Sequence, residues 1–215
     1  GNKSTSGRYD YKFYTPWRFG GSLGYTVGKH LALGATYEYA DYSYSDIRVN
    51  EGGVYDYWGN YYEESLRDQA MKGNIKNVLK GVSTVKVGAE YKPMPNLAVR
   101  LGYNYVSPMY NKNGYKDGTL NSYSTYYSSS TDYTNWNATN RVTAGAGYTY
   151  KKFSIDLAYQ YSRTTGEFFP FMSYSDLDAV NGDQNKYDSG YDNFCDGQKV
   201  SNKHHQLILT LGYRF

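Results

Sequence analysis

Seven ionisable side chains recur at alternating positions of short segments: Arg18, Glu38, Lys86, Glu90, Arg100, Arg141 and Asp156. Both signs are present, so cross-strand pairing and contact with a polar or charged ligand are the chemistry this set can do. Other reactive groups point to less. His204 and His205 offer a base for the Ser–His chemistry of outer-membrane phospholipases, but no serine has a nucleophile's context and the carboxylates form no paired motif. His30 lies in a turn. Asp176, Asp178 and Asp183 are acidic enough for Ca²⁺, although solvated loop charge is the simpler account. Cys195 is the one cysteine, set in the polar run Tyr191–Gly197, which excludes an intramolecular disulfide framework. No CxxC, HExxH, phosphate-cradling glycine loop or EF-hand pattern occurs. The expectation is a protein without enzymatic activity, cofactor or metal, in which the seven charged residues line a lumen and contact ligand.

The elements that must carry these residues are strands. Segments 17–27, 31–43, 82–91, 97–106, 141–150, 153–162 and 204–215 all alternate with a period of two. In the last of them Leu207, Leu209, Leu211, Tyr213 and Phe215 fall on one face. Gly28–His30, Lys92–Asn96 and Lys151–Lys152 are tight turns. Tyr44–Gly81, Ser107–Asn140 and Arg163–Lys203 are long connections rich in Gly, Asn, Ser and Tyr. Connections of that length are uncommon inside a compact soluble domain. Within the first, Glu63–Leu79 has an apolar stripe at helical spacing and reads as a helix. Tyr9, Tyr11 and Phe13 also alternate, but Pro16 separates them from the first segment.

The aromatic residues give a second pattern. Of 215 residues, 29 are Tyr. Tyr25, Tyr91, Tyr148, Tyr150, Tyr213 and Phe215 mark the turn ends of their segments; Tyr37, Tyr39, Tyr103, Tyr105, Tyr159 and Tyr161 mark the loop ends. Between them the same face is aliphatic, with Leu23, Leu33, Val87, Leu101, Leu157 and Leu209 among others. Two aromatic belts around an aliphatic band match the demands of a bilayer and its two interfaces. Mean hydropathy is −0.76, and no run approaches the roughly 18 apolar residues a membrane helix needs. Barrel strands cross lipid with apolar residues at every second position, so neither value conflicts with a membrane. A soluble Tyr-rich carbohydrate binder would share the composition without needing tyrosines at both ends of its apolar face.

The expected fold class is therefore all-β: an antiparallel up-and-down transmembrane barrel with short periplasmic turns and long extracellular loops. Residues 1–215 read as one domain in the bacterial outer membrane, with a periplasmic C-terminus. Net charge of +3 with scattered basic residues excludes nucleic acid as the partner. Seven strands is an odd count for a bacterial barrel and no secretory leader is visible, so a processed or truncated chain is expected, the C-terminal part of a longer barrel. Alternatives left open are a dimer closed edge to edge and a sheet folded into a water-soluble sandwich.

Thr15–Tyr25 (TPWRFGGSLGY), Leu31–Tyr42 (LALGATYEYADY), Val85–Pro93 (VKVGAEYKP) and Leu97–Tyr103 (LAVRLGY) resemble strand segments of the FadL family of long-chain fatty-acid transporters, particularly its Bacteroidetes members. The likeness covers strands and turns and not the three loops. It implies a barrel of 14 strands, of which these would be the later half, and passive uptake of hydrophobic small molecules released sideways into the membrane. The family's N-terminal hatch and early strands have no counterpart here, so no ligand contact is carried over. The terminal aromatic strand resembles the signal read by the barrel-assembly machinery. Expected partners are outer-membrane lipid, a hydrophobic ligand, that machinery and a second copy of the chain. The alternative function is an anchor or adhesin whose Tyr-rich loops bind a partner or glycan.

Overall fold

The computed structural model describes residues 10–112, 114–118, 120–122, 132–173 and 195–215. It is an antiparallel all-β structure with one short α-helix. Its main body is a seven-stranded sheet built from β2 (Arg18–Val27), β3 (Leu31–Asp41), β6 (Gly81–Met94), β7 (Leu97–Val106), β8 (Tyr133–Tyr150), β9 (Phe153–Phe169) and β10 (Gln198–Tyr213). Spatial order follows chain order, with β2 and β10 as its edges. A smaller sheet, in the order β1-β4-β5, is formed by β1 (Tyr11–Tyr14), β4 (Asp46–Tyr55) and β5 (Tyr61–Arg67).

All seven alternating segments are strands of the large sheet. Turn chemistry sets their register. Gly28 adopts φ +60° between β2 and β3, and Lys151 adopts φ 54° between β8 and β9. Positive φ in a short hairpin loop gives the backbone the twist of the flanking strands. At the turn end His30 Nδ1 lies 2.7 Å from the Lys92 carbonyl, while the Lys92 N–H donates to the His30 carbonyl at 2.7 Å. The two neighbouring turns are thus fastened together.

Several boundaries differ from the sequence expectation. β6 runs on to Met94, which pairs with Leu97, so the turn there is tighter than Lys92–Asn96. β8 and β9 extend well past 141 and 162 toward the loop end, and β10 begins at Gln198. The alternation at Tyr11 and Phe13 makes β1, which pairs with β4 and does not extend the first large-sheet strand. The helix is shorter than Glu63–Leu79: Tyr61–Arg67 is strand, and α1 covers Gln69–Val78. Asp68 draws that line. Its Oδ1 accepts the Met71 N–H at 2.9 Å as an N-cap, and its Oδ2 accepts the Ser122 hydroxyl at 2.7 Å. Asp68→Ala is expected to cost about 0.5–2 kcal/mol locally, seen as faster amide hydrogen exchange in α1 with β6–β9 unchanged. Unchanged exchange in α1 would show the cap to be idle.

Burial concentrates at the loop end. Among the described residues the buried hydrophobic ones are Ala40, Val49, Ile75, Ala98, Tyr133 and Phe169, and of these only Ala98 lies toward the turn end. Tyr133 stacks on Phe169 at 4.7 Å, with Tyr115 edge-on to Phe169 at 5.6 Å. Gly166, paired with Trp136 beside the β8–β9 bulge, is buried there as well. Lys72 Nζ donates to the Tyr44 and Ser45 carbonyls at 3.2 and 2.9 Å, tying α1 to the start of β4. Asp46 is paired with Arg67 at 2.9 Å and Arg48 at 3.3 Å. The large sheet, in contrast, leaves its aliphatic residues open: Leu23, Leu101 and Leu211 are 76%, 61% and 72% exposed.

Candidate functional site: a polar face with paired charges

Register assigns every large-sheet residue to one of two faces, because opposed residues in an antiparallel pair share a side. Leu23 opposes Ala35, Ala35 opposes Val87, Val87 opposes Tyr103, Tyr103 opposes Val142, Val142 opposes Tyr161, and Tyr161 opposes His205. That side is the apolar face. The aromatics expected at its two rims fall on it. At the turn end Phe153 and Tyr213 approach to 4.9 Å, and Phe215 meets Tyr213 at 5.2 Å. At the loop end Tyr37 Oη lies 3.0 Å from Ser83 Oγ, and the Tyr103 hydroxyl donates to Asn140 Oδ1 at 2.6 Å. Tyr159 Oη lies 2.7 Å from His205 Nδ1, and Tyr161 faces the same imidazole at 4.9 Å.

All seven candidate charged residues lie on the opposite, polar face, and the structure joins five of them. Lys86 on β6 donates to Glu38 on β3 at 2.7 Å. Arg100 on β7 is shared between Glu90 on β6, at 2.6 Å, and Asp156 on β9, at 3.0 Å. The second contact passes over an entire strand. It is possible because β8 contributes Gly145 and Gly147 where side chains would stand; a β-carbon on Gly147 would collide with Asp156 Oδ1 and lie 3.3 Å from Arg100 Nη1. Lys92 completes the cluster at 3.1 Å from Glu90; its spacing of two from Glu90 was the sequence signal for it. These groups are partly exposed, so solvent screening leaves each pair little net weight in stability. Their effect is to fix side-chain positions and cancel charge along the wall.

Arg18 and Arg141 stand apart. Arg18 donates a long bond, 3.4 Å, to Tyr42 Oη. Arg141 Nε and the Oδ1 of Asn104, its cross-strand neighbour, are buried atoms without a hydrogen-bond partner among the described residues. Gly24, Gly34, Gly88 and Gly102 oppose one another in one row across β2, β3, β6 and β7. No side chain lies within 4 Å of a β-carbon built on Gly24, Gly34 or Gly88, whereas the Thr143 hydroxyl crowds Gly102; an open trough of about 680 Å³ lies over the first three, bordered by Ser22, Thr36, Lys86, Glu90 and Arg100. A smaller hollow of about 170 Å³ near the loop end sets Ala40, Val82 and Val106 beside Arg18, Glu38 and Tyr42.

The remaining reactive groups do not converge. His204 and His205 are consecutive residues inside β10 rather than at its start, so they face opposite sides of the sheet. The Cys195 thiol donates to the Asp196 carbonyl at 3.3 Å. Among the described residues no three His, Cys, Asp or Glu side chains gather in a manner that would hold a metal ion. Asp176, Asp178 and Asp183 lie outside the described residues. None of the described helices is long and apolar enough to cross a membrane, which leaves open a crossing by strands.

One feature of the loop end was only partly legible: the β4–β5 hairpin carries Tyr55, Tyr57, Trp58, Tyr61 and Tyr62 at its tip, all exposed. Asp56 holds that tip in shape. Its Oδ1 accepts the N–H groups of Trp58, at 2.9 Å, and Asn60, at 2.8 Å, and its Oδ2 accepts the Asn60 amide at 3.1 Å. The hydrogen bonds from Asn60 above all keep this carboxyl below its usual range.

Fold and site together define an antiparallel β-sheet protein with one apolar and one charge-paired face. No family model, curated protein or solved structure matches the chain.

Proposed function

We propose that the large sheet is part of the wall of a bacterial outer-membrane β-barrel, and that the protein serves passive passage of hydrophobic small molecules such as long-chain fatty acids. The observation that carries this reading is the apolar face: one continuous register bears two aromatic belts around an exposed aliphatic band. In water such a face is a liability; in lipid it is the surface a barrel needs. The polar face then lines the lumen, with five of its seven candidate charges held in ion pairs. The hollow at the loop end supports an amphipathic ligand, since Ala40, Val82 and Val106 offer apolar contact beside the polar groups of Arg18, Glu38 and Tyr42. Resemblance of the strands to the FadL family supports the same ligand class. Edges β2 and β10 must each pair in hydrocarbon, where unsatisfied backbone groups are not tolerated; further strands or a second copy would do this.

The test is uptake of a pyrene-labelled fatty acid into vesicles carrying the protein, beside swelling in a small neutral sugar. Fatty-acid uptake above that of empty vesicles is the expected result. Sugar permeation without fatty-acid uptake would reject the ligand class and keep the barrel. Failure to insert would reject both. A second reading, an outer-membrane anchor or adhesin, is favoured by the exposed aromatic tip of the β4–β5 hairpin.

A further inference from the structure

We propose that the tip of the β4–β5 hairpin is a contact site for neutral glycans, made by Tyr55, Tyr57, Trp58 and Tyr61 with the amide of Asn60. Its surface role rests on the reading that the loop end faces outward; the contact itself does not. Tyr57 is 94% and Trp58 83% exposed, and their rings meet edge to face at 5.4 Å. Tyr55 and Tyr61 form a second edge-to-face pair at 5.3 Å across the strands. Four of the five aromatic rings of residues 55–62 thus form two pairs, each ring still offering surface to solvent.

The tip is ordered before any partner arrives. Gly59, at φ +80°, closes the turn by donating its N–H to the Asp56 carbonyl at 3.0 Å, and the Asp56 carboxylate takes three further donors from within the turn. Binding there loses little backbone entropy, the condition under which rigid aromatic side chains serve as anchors.

The chemistry selects the partner. Asp56 is the sole ionisable carboxylate among residues 55–62, its oxygens already accept hydrogen bonds within the turn, and no Lys or Arg is present. A nucleic acid or an anionic lipid surface would need cations at the contact. What remains is ring faces interleaved with phenol hydroxyls and an amide, matching the alternation of C–H faces and hydroxyls on a sugar. Insertion into a neutral bilayer interface would use the rings alone, leaving the hydroxyl-rich rim and the fixed turn without a role.

The experiment is saturation-transfer NMR on the full chain in detergent micelles, with hexasaccharides of glucose, mannose, galactose and N-acetylglucosamine as probes. The same samples are then mixed with phosphatidylcholine vesicles. At least one sugar should receive saturation, and Tyr57→Ala/Trp58→Ala should weaken its binding roughly tenfold or more with the far-UV circular dichroism of the sheet unchanged. Asp56→Ala, which keeps the rings and frees the turn, should weaken it by a smaller factor. No transfer from any of the four sugars, or transfer that persists in the double variant, overturns the site. So does a double variant whose defect is in vesicle binding and not in sugar binding. Fatty-acid uptake by the double variant is expected to equal wild type, so its loss would count against the transport reading's separation from the tip and not for the glycan site.

Discussion

Leu157→Arg should block stable insertion into lipid vesicles, whereas Ala158→Arg, one residue along β9, should insert nearly as well as wild type. The two positions occupy opposite faces. Leu157 lies between Ala146 of β8 and Leu209 of β10 on the apolar face, and Ala158 lies between Gly145 and Ile208 on the polar face. A cation in the middle of a lipid-facing band costs about 2–4 kcal/mol. The same cation on a solvated wall costs little, and Asp156 with its neighbours shows that this wall tolerates charge. The check is the heat-sensitive fraction on SDS gels after refolding into vesicles. Were the apolar face a water-exposed surface, Leu157→Arg would be neutral or would improve solubility; equal insertion of the two variants would therefore sink the membrane reading.

Gly166→Val is expected to destabilise the loop end by about 1–3 kcal/mol, the usual range for overpacking a filled site. A β-carbon at Gly166 would lie 2.9 Å from the Trp136 ring and 3.0 Å from the Asn135 carbonyl oxygen. The backbone oxygen cannot rotate away, so relief requires the β8–β9 bulge to open. Gly34→Val is the matched control, with nothing within 4 Å of the added atom. Thermal unfolding in detergent, followed by near-UV circular dichroism of the aromatic cluster, should show a lowered midpoint for the first variant alone. Equal midpoints would mean that Gly166 is dictated by something other than Trp136.

The seven large-sheet strands were legible because all alternate with period two and six of them flank a turn of Gly, Lys or Pro, and the face assignment followed from parity alone. The smaller sheet was not. Tyr61–Arg67 (YYEESLR) places polar residues on both sides, and β4 loses its phase at a register shift between Asn50 and Gly53. The start of α1 was readable in principle, since Asp68 before an apolar-periodic run is an N-cap signal. Residue types identified the charged wall, but not its wiring. Arg100 and Asp156 meet only because Gly145 and Gly147 leave a gap on the strand between them, and nothing local in the sequence announces a contact across two strand spacings. The loop-end extensions were missed because Thr134, Asn135, Trp136 and Asn137 in β8, and Arg163, Thr164, Thr165, Gly166 and Glu167 in β9, carry no alternation of hydrophobicity.

The uneven connections described above have an entropic consequence. Three hairpins, β2–β3, β6–β7 and β8–β9, close through a few residues each, whereas the seams β3–β6, β7–β8 and β9–β10 close over the stretches 42–80, 107–132 and 170–197. In the unfolded chain the entropy of closing a contact varies only logarithmically with the number of residues enclosed, about 0.6 kcal/mol for each doubling. Adding residues at an exposed point of those stretches, such as the tip between β4 and β5, therefore perturbs the three seams weakly, while the tight hairpins hold register from the other end. Variation can accumulate in what the loop end displays with little tax on the wall beneath it.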